Sequence, residues 1–431
     1  MSSLTSFRFA GASADITPAW PVPLAGYLGR SAAFTAVASR LEANVVLLAT
    51  DGARVLFVAL DVLYAGPALC KAAHGCAARH GLPAECVVIS ASHSHFAPAT
   101  DLDKPKLGVI DERWLGDIVA RLVDLIDGVF CQPLQAALVE SLSTVLPFNV
   151  NRRRRWRWPV LGREGLRLRP SIVMAPAPDE ARDDSADLLR VSDAAGRPVA
   201  WLWKYACHPV GSPTPLSVDA EFPGCVRERL RALSDGRAPV VFWQGFAGDV
   251  RPWIIGWPTW RGRLATLRRG PDFGKPTPAA WQHWCNGLAD RVAHAATSLP
   301  WAALAPTLEI TAAAIPLDQL LDVKPRHLID GKALSIQRIG IGQAMDLLFI
   351  SAEVCSHYLQ LGRLGRRTVF VGYTGDTFGY LPSEAQVAQG GYEATGFFAA
   401  FGLHGGWRPG FQRRVEDMIT TTSQIGSSSI G

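Results

Sequence analysis

Five short apolar runs in this chain end in polar residues of the types that bind metals or transfer protons. Apolar runs of this length are typical of buried strands, and α/β proteins gather ligands at the carboxyl ends of such strands. We therefore expect the residues that end the runs to lie together at one edge of a sheet. The runs are 86–95, which ends in His93 and His95, 199–208, which ends in His208, 239–249, which ends in Asp249, 346–353, which ends in Glu353, and 368–376, which ends in Asp376.

Two of these histidines stand on alternate residues directly after a predicted strand. Alternate side chains of an extended chain point the same way, so His93 and His95 could bring two imidazoles to one ion. His208, taken alone, would more often be a hydrogen-bonded core histidine than a ligand. Together with the other strand-end residues, the three histidines indicate a metal site.

The elements between the runs predict how these residues are positioned. The alanine-rich residues 66–80 and the periodic apolar face of residues 112–129 predict helices, and further helices are expected over 221–233 and 279–299. Strands that alternate with helices are typical of layered α/β folds. The sequence therefore predicts an α/β protein with a layered mixed sheet and flanking helices.

The candidate residues are spread along the chain from His93 to Tyr380, so we expect one catalytic domain over residues 1–418. The polar residues 419–431 are expected to form a mobile tail. Two segments rich in arginine and tryptophan interrupt the alternation of strands and helices. Because tryptophan is costly to leave in water, both segments are expected to be ordered loops. They are residues 149–159 and 253–269.

Composition narrows the possible partners and the compartment. A chain of 431 residues with 48% hydrophobic content can bury a large core, and no apolar run reaches the roughly 18 residues that span a bilayer. The amino terminus has no basic leader before an apolar stretch, so no secretion signal is expected.

The eight cysteines show no CxxC spacing, which favours reduced thiols and a cytoplasmic location. A net charge of +5 is modest, so the expected partner is a small-molecule substrate and not nucleic acid, with the oligomeric state left open.

Several strand ends carry motifs that resemble those of the neutral ceramidase family of zinc amidases. The matches follow the family's order from Asp15 to Ala394, and the resemblance implies the fold of the neutral ceramidase catalytic domain. The family's Thr-His-Thr-His-Ser-Gly-Pro is matched by residues 92–98, its Asn-Arg by 151–152, its Phe-Ala-Val-His-Pro by 205–209, its Gly-Asp-Val-Ser-Pro by 248–252, its Pro-Gly-Glu by 351–353, its Tyr-Thr-His-Tyr by 377–380, its Gln-Arg-Tyr-Glu-Ala by 390–394, and its Asp-Ile-Thr-Pro by 15–18.

The resemblance implies a zinc site that hydrolyses an amide or ester. Zn²⁺ accepts imidazole, carboxylate and phenolate ligands, and it lowers the pKa of a bound water to about 7, which supplies hydroxide for attack on a carbonyl. His95 and Arg152 are implied to lie close to that carbonyl, His95 as a proton shuttle or oxyanion donor and Arg152 holding a substrate oxygen or orienting a ligand. Asp249 is expected to accept a hydrogen bond from a ligating histidine. The implied zinc ligands are His93, His208, Glu353 and Tyr380.

The chain departs from the family at Arg251, where the family has a serine beside the scissile bond. We also expect the chain to lack the family's secretory or membrane-directed amino terminus and its carboxyl-terminal β-sandwich, so the expected substrate is more polar than ceramide. Arginine presents a planar fork to carboxylate, phosphate or sulfate, so we expect an anionic or sugar-like substrate. The alternative is that Arg251 pairs with Asp249 or another acid and that the nearby tryptophans are buried structure. The tryptophans expected to wall the cavity are Trp156, Trp158, Trp253, Trp257 and Trp260.

Other interpretations of the same residues stay open at this stage. An amidohydrolase barrel also begins with His-x-His after a strand, and a scaffold that kept the fold without catalysis would explain Arg251. Glu353 could cap a following helix, and Tyr380 could be a core phenol. Asp15 and Asp61 follow strand-like runs and are interpreted as turn residues outside the site.

Overall fold

The computed structural model of the chain describes residues 6–162, 165–255, 270–363 and 366–424. The strands are β1 Phe7–Asp15, β2 Ala36–Val37, β3 Glu42–Ala49, β4 Arg54–Leu60, β5 Val87–Ala91, β6 Gln135–Val145, β7 Asn149–Asn151, β8 Arg153–Gly162, β9 Gly165–Met174, β10 Ser185–Ser192, β11 Pro198–Tyr205, β12 Ser217–Val218, β13 Val240–Gln244, β14 Val250–Pro252, β15 Ala302–Ala303, β16 Leu308–Pro316, β17 Leu321–Lys324, β18 Ala333–Ile341, β19 Met345–Ile350, β20 Glu353–Val354, β21 Arg367–Val371, β22 Tyr380–Leu381 and β23 His404–Trp407. The helices are α1 Gly66–Arg79, α2 Glu112–Phe130, α3 Glu221–Arg231, α4 Pro278–Ser298, α5 Leu317–Leu320, α6 Glu384–Gln389, α7 Phe397–Ala400 and α8 Phe411–Gln424.

The larger of two mixed sheets has the strand order β13-β11-β10-β6-β1-β3-β4-β5, and the short β15 pairs with β6. The pairs β4/β5 and β11/β13 are parallel, and the other pairs are antiparallel. Three of its strands, β3, β4 and β13, are almost continuously apolar, because each is buried on both faces. This explains why the sequence shows apolar runs there and little alternation.

A smaller sheet, β16-β18-β19-β21, packs face to face on the larger one. Alternate residues of the facing strands form the core between the sheets. At its centre the Trp243 ring lies 5.3 Å from Phe57 of the larger sheet and 5.4 Å from Phe349 of the smaller sheet. The two sheets therefore form a sandwich, and they are open within the described residues. The amidohydrolase barrel considered above is therefore excluded.

Helices cover the outer faces of the sandwich. Helices α1 and α2 pack on the half of the larger sheet that contains β1, β3, β4 and β5, and α3 and α4 pack on the half that contains β10, β11 and β13. Helix α8 packs on the outer face of the smaller sheet through Phe411, Val415 and Ile419. The predicted α/β class, with a mixed sheet and flanking helices, is confirmed. Of the helices in the described ranges, none has both the length and the apolar character needed to cross a bilayer.

Local capping explains where several helices begin. Asp111 accepts a hydrogen bond from Trp114 N at 2.7 Å before α2, and Thr277 caps α4 ahead of a proline at its first turn. Ser383 and Gln386 form a reciprocal capping box at α6. The four helices predicted from the sequence begin and end within two residues of their expected bounds.

Two predictions about irregular segments were wrong. The segment 149–159 is not a loop: it enters β7 and β8, and β8 forms an antiparallel hairpin with β9. Helix α8 continues to Gln424 and buries Ile419, so residues 419–424 belong to the packed core and not to a mobile tail. Alternating arginine and apolar residues suit a strand with one exposed face, and the sequence interpretation gave too little weight to that pattern. Residues 256–269 and 425–431 lie outside the described residues.

Candidate metal centre

The carboxyl ends of three parallel strand pairs meet at one edge of the sandwich. The pairs are β4/β5 and β11/β13 in the larger sheet and β19/β21 in the smaller sheet. Backbone hydrogen bonds join the sheets here: Ala91 N donates to Tyr373 O at 3.1 Å, and Gly372 N donates to Gln244 O at 2.9 Å. The segments that carry the predicted strand-end residues therefore leave the two sheets side by side.

His93, His95 and His208 lie together just beyond this edge. One nitrogen of each lies within 4.8 Å of the others, and His93 Nε2 is 3.3 Å from His95 Nε2. His93 and His208 are buried, whereas His95 is partly exposed. His93 also has a φ of 65°, a strained value for a non-glycine residue that is often found at functional sites. The structure thus brings the three predicted histidines to one point.

Glu353 and Tyr380 complete the cluster from β20 and β22, which pair in parallel with these two residues opposite each other. Glu353 Oε2 lies 3.5 Å from His93 Nε2 and 3.3 Å from His208 Nε2. Tyr380 Oη lies 3.4 Å from His208 Nε2. Glu353 is 0% exposed, and its Oε2 has no hydrogen-bond partner among the described residues.

A buried carboxylate oxygen without a donor is costly, and a bound cation would remove that cost. Two imidazoles, a carboxylate and a phenol form a donor set that zinc accepts. The described residues around Glu353 therefore fit a metal ion.

Backbone carbonyls orient two of the imidazoles. His93 Nδ1 is 2.9 Å from Leu63 O, and His208 Nδ1 is 2.6 Å from Ala247 O, so the Nε2 atom of each ring is left for the shared centre. Burial lowers the pKa of both His93 and His208. Both rings are therefore neutral at physiological pH, which is the form that binds a metal.

Arg152 lies against the cluster and orients Tyr380. Its Nη2 donates to Tyr380 Oη at 3.1 Å and to Gly248 O at 2.8 Å, and its Nε donates to Glu393 Oε1 at 2.6 Å. Arg153 donates to the other oxygen of Glu393 at 2.8 Å. Of the two roles considered for Arg152, the contacts favour orienting a ligand over holding a substrate oxygen.

Asp249 reaches the same region but contacts no histidine. Its Oδ1 accepts hydrogen bonds from the backbone N and the hydroxyl of Ser356 at 2.9 and 2.7 Å, and its Oδ2 accepts one from Gln386 Nε2 at 3.0 Å. The expectation that Asp249 would accept a bond from a ligating histidine was wrong, because backbone carbonyls take that place. Asp249 instead ties the segment after β13 to the segment after Glu353.

Three residues of this cluster were missed from the sequence. Tyr64 donates a hydrogen bond to Glu353 Oε1, the ring of Tyr373 lies 4.5 Å from that of His93, and Glu393 pairs with Arg152. Tyr64 and Tyr373 each follow a strand of a parallel pair, so the strand-end rule could have found them. Glu393 lies within a motif already matched, but nothing in its spacing shows its partner.

Arg251 lies beside the cluster and lines a cavity with a volume of about 360 Å³. It has no ion pair with Asp249, and no described residue offers it a carboxylate, so the expected structural pairing is absent from the described residues. The described lining includes neither Trp156 nor Trp253. Trp257 and Trp260 lie outside the described residues, as does the side chain of Trp158. The predicted tryptophan wall is therefore not found in the described part of the cavity.

Comparison with known proteins agrees with this architecture. No family model and no curated protein matches the sequence. Among solved structures, the chain is similar to the neutral ceramidase from Pseudomonas aeruginosa, with a TM-score of 0.71 and 16% identity over 98% of this chain and 75% of that one. It is also similar to a ceramidase complexed with C2, with a TM-score of 0.71 and 15% identity over 98% of this chain and 76% of that one. The chain therefore has the neutral ceramidase fold.

Proposed function

We propose that this chain is a zinc-dependent hydrolase that cleaves an amide or ester bond. The observation that carries the proposal is the buried Oε2 of Glu353, which has no donor in the described part of the chain and lies within 3.5 Å of two imidazole nitrogens. A core without a function would more often bury an apolar group there, because an unpaired buried carboxylate destabilises a fold. The neutral ceramidase fold supports the same conclusion, since it places this cluster beside a cavity.

Four side chains would hold the zinc ion: His93, His208, Glu353 and Tyr380. When bound, zinc would supply Lewis acidity and an activated water. The chain's own residues keep these ligands in place. Tyr64 donates to Glu353 Oε1, Arg152 donates to Tyr380 Oη, and two backbone carbonyls orient the imidazoles. Such supporting contacts fix ligand geometry before substrate arrives.

His95 is placed to act on the substrate. It is the partly exposed histidine of the three, and its Nδ1 has no hydrogen-bond partner among the described residues. Gly26 closes the space behind it: a Cβ at that position would lie 2.5 Å from His95 Nδ1. Burial lowers the pKa of His95, and a neutral imidazole held in this way can donate a hydrogen bond to the oxyanion, or accept a proton and pass it to the leaving group.

Metal dependence provides the direct test of the proposed function. The purified chain should contain about one zinc ion per chain, and it should hydrolyse some members of a series of N-acyl and O-acyl compounds. Dialysis against a chelator should abolish hydrolysis, and zinc should restore it. Full activity in the metal-free protein would contradict the proposal. A zinc-free protein with no activity after zinc is added would favour a scaffold.

Replacing His95 with alanine should separate catalysis from metal binding. If His95 acts on the substrate, the variant should keep its zinc while kcat falls by roughly 10²-fold or more. The exposed His404→Ala provides a matched control, because it removes an imidazole outside the three-histidine cluster and should leave both zinc content and kcat unchanged. Loss of zinc together with loss of activity would make His95 a fifth protein ligand of the metal.

A further inference from the structure

The cavity beside the metal centre has mostly apolar walls. Its described lining includes Phe96, Ile254 and Phe273 together with several prolines. The cavity adjoins the candidate catalytic residue, because the ring of Tyr27, also in the lining, lies 5.1 Å from the ring of His95. A substrate with an apolar body could therefore occupy the cavity while its reacting group lies at His95.

Arg251 is partly buried and has no acidic partner among the described residues. Its Cζ lies 4.7 Å above the centre of the Phe273 ring, and the hydrogen-bond partner of its Nη1 among the described residues is Met174 Sδ at 3.7 Å. Its Nε is buried and has no hydrogen-bond partner among the described residues. By contrast, Arg227 pairs with Asp61, and Arg338 pairs with Asp346 at 2.7 Å.

Two acids that could pair with Arg251 accept their hydrogen bonds elsewhere. Glu221 accepts hydrogen bonds from the backbone N atoms of Gly211 and Ser212 at 3.2 and 2.7 Å. Asp249 accepts its three hydrogen bonds from Ser356 and Gln386. The guanidinium of Arg251 is therefore left with donors that no described carboxylate accepts beside a mostly apolar cavity, and an anion bound there would accept them.

The charged residues in the described lining of the cavity all carry positive charge. Its described lining contains Arg30, Arg251 and Lys275, and it contains no aspartate or glutamate. Arg30 donates to backbone carbonyls, including those of Leu24 and Pro215, so it adds positive potential but few free donors. Lys275 is exposed and has no ion pair in the described residues. Among the cations of the described lining, Arg251 is therefore the one with a buried donor that no other described residue uses.

We propose that Arg251 binds the carboxylate or phosphate group of an acyl substrate whose apolar body fills this cavity. The proposal rests on the hydrolase function above and makes its substrate class definite: an amphiphile with one acid group. Arginine matches such groups with two parallel hydrogen bonds, which a serine at this position could not make.

The test measures binding as well as turnover, so that it does not depend on catalysis. The probes are N-octanoylglycine, its neutral carboxamide N-octanoylglycinamide, and octyl phosphate. We expect the wild-type, zinc-loaded protein to bind the two anions more tightly than the carboxamide in calorimetry. In Arg251→Met, anion binding should weaken by roughly 10- to 100-fold, the value of a charged hydrogen bond, while carboxamide binding should not change.

Two further variants separate the effect of the paired guanidinium donors from the effect of the positive charge. Arg251→Lys keeps the charge but loses the two parallel hydrogen bonds, so it should recover only part of the anion affinity. Lys275→Met removes an exposed cation and should change the affinity by less than about threefold. Equal binding of anionic and neutral probes by the wild type, or an unchanged ratio in Arg251→Met, would overturn the proposal. If the anions bind through Arg251 and no acyl compound is hydrolysed, the binding site stands and the hydrolase function fails.

Discussion

Glu353→Gln should lose its zinc and all measurable hydrolysis while remaining folded. Glutamine has nearly the same shape as glutamate, but it lacks the negative charge that two imidazoles and a phenol cannot supply to a divalent cation. The carboxamide could also accept the hydrogen bond from Tyr64, so the core should repack little. We expect turnover to fall by roughly 10³-fold or more, because zinc would supply both the Lewis acid and the activated water.

Metal analysis, circular dichroism and hydrolysis assays on the same preparation would check this expectation. The matched control is Asp376→Asn, since Asp376 also follows a strand at this edge but lies 3.7 Å from Lys332 and outside the histidine cluster. The control should keep its zinc and its activity. Stoichiometric zinc in Glu353→Gln would show that the carboxylate is not a ligand, and the proposed donor set would then be wrong.

Arg152→Met should weaken both the fold and the metal site. Arg152 is 4% exposed and shares Glu393 with Arg153, so removing it leaves a buried carboxylate with one cation in place of two. Breaking a buried pair of this kind costs about 3–5 kcal/mol, and the lower end is expected because Arg153 remains. Tyr380 also loses its donor, so zinc affinity should fall by roughly 10- to 100-fold.

Arg153→Met provides the control that separates these two effects. Arg153 is equally buried and binds the same carboxylate, but it makes no contact with Tyr380. Denaturant unfolding of the metal-free proteins should show a similar loss of unfolding free energy in both variants. Zinc titration should show a large loss of affinity only in Arg152→Met. Equal zinc affinities in the two variants would reduce Arg152 to a purely structural residue.

The sequence by itself was sufficient to predict the layered α/β class and several of the residues that meet at the site. Strands covered on both faces must be apolar along their whole length, so β4, β5, β13 and β19 are visible as apolar runs. Packing alone rarely explains a polar residue directly after such a run. The residues in these positions include His93, His208 and Glu353. The apolar runs and the polar residues after them are both local signals. Each is visible in consecutive residues, because the surroundings of a whole segment determine the residue types along it.

The choice of partner for each polar side chain was decided only by the tertiary structure. Tyr64 and Glu353 are 289 residues apart in the chain, and Arg152 and Glu393 are 241 residues apart, so no local pattern could pair them. Asp249 follows a strand just as Glu353 does, yet it bonds Ser356 and not a histidine. A hydrogen bond depends on positions within a few tenths of an ångström, and only the packing of the two sheets determines those positions.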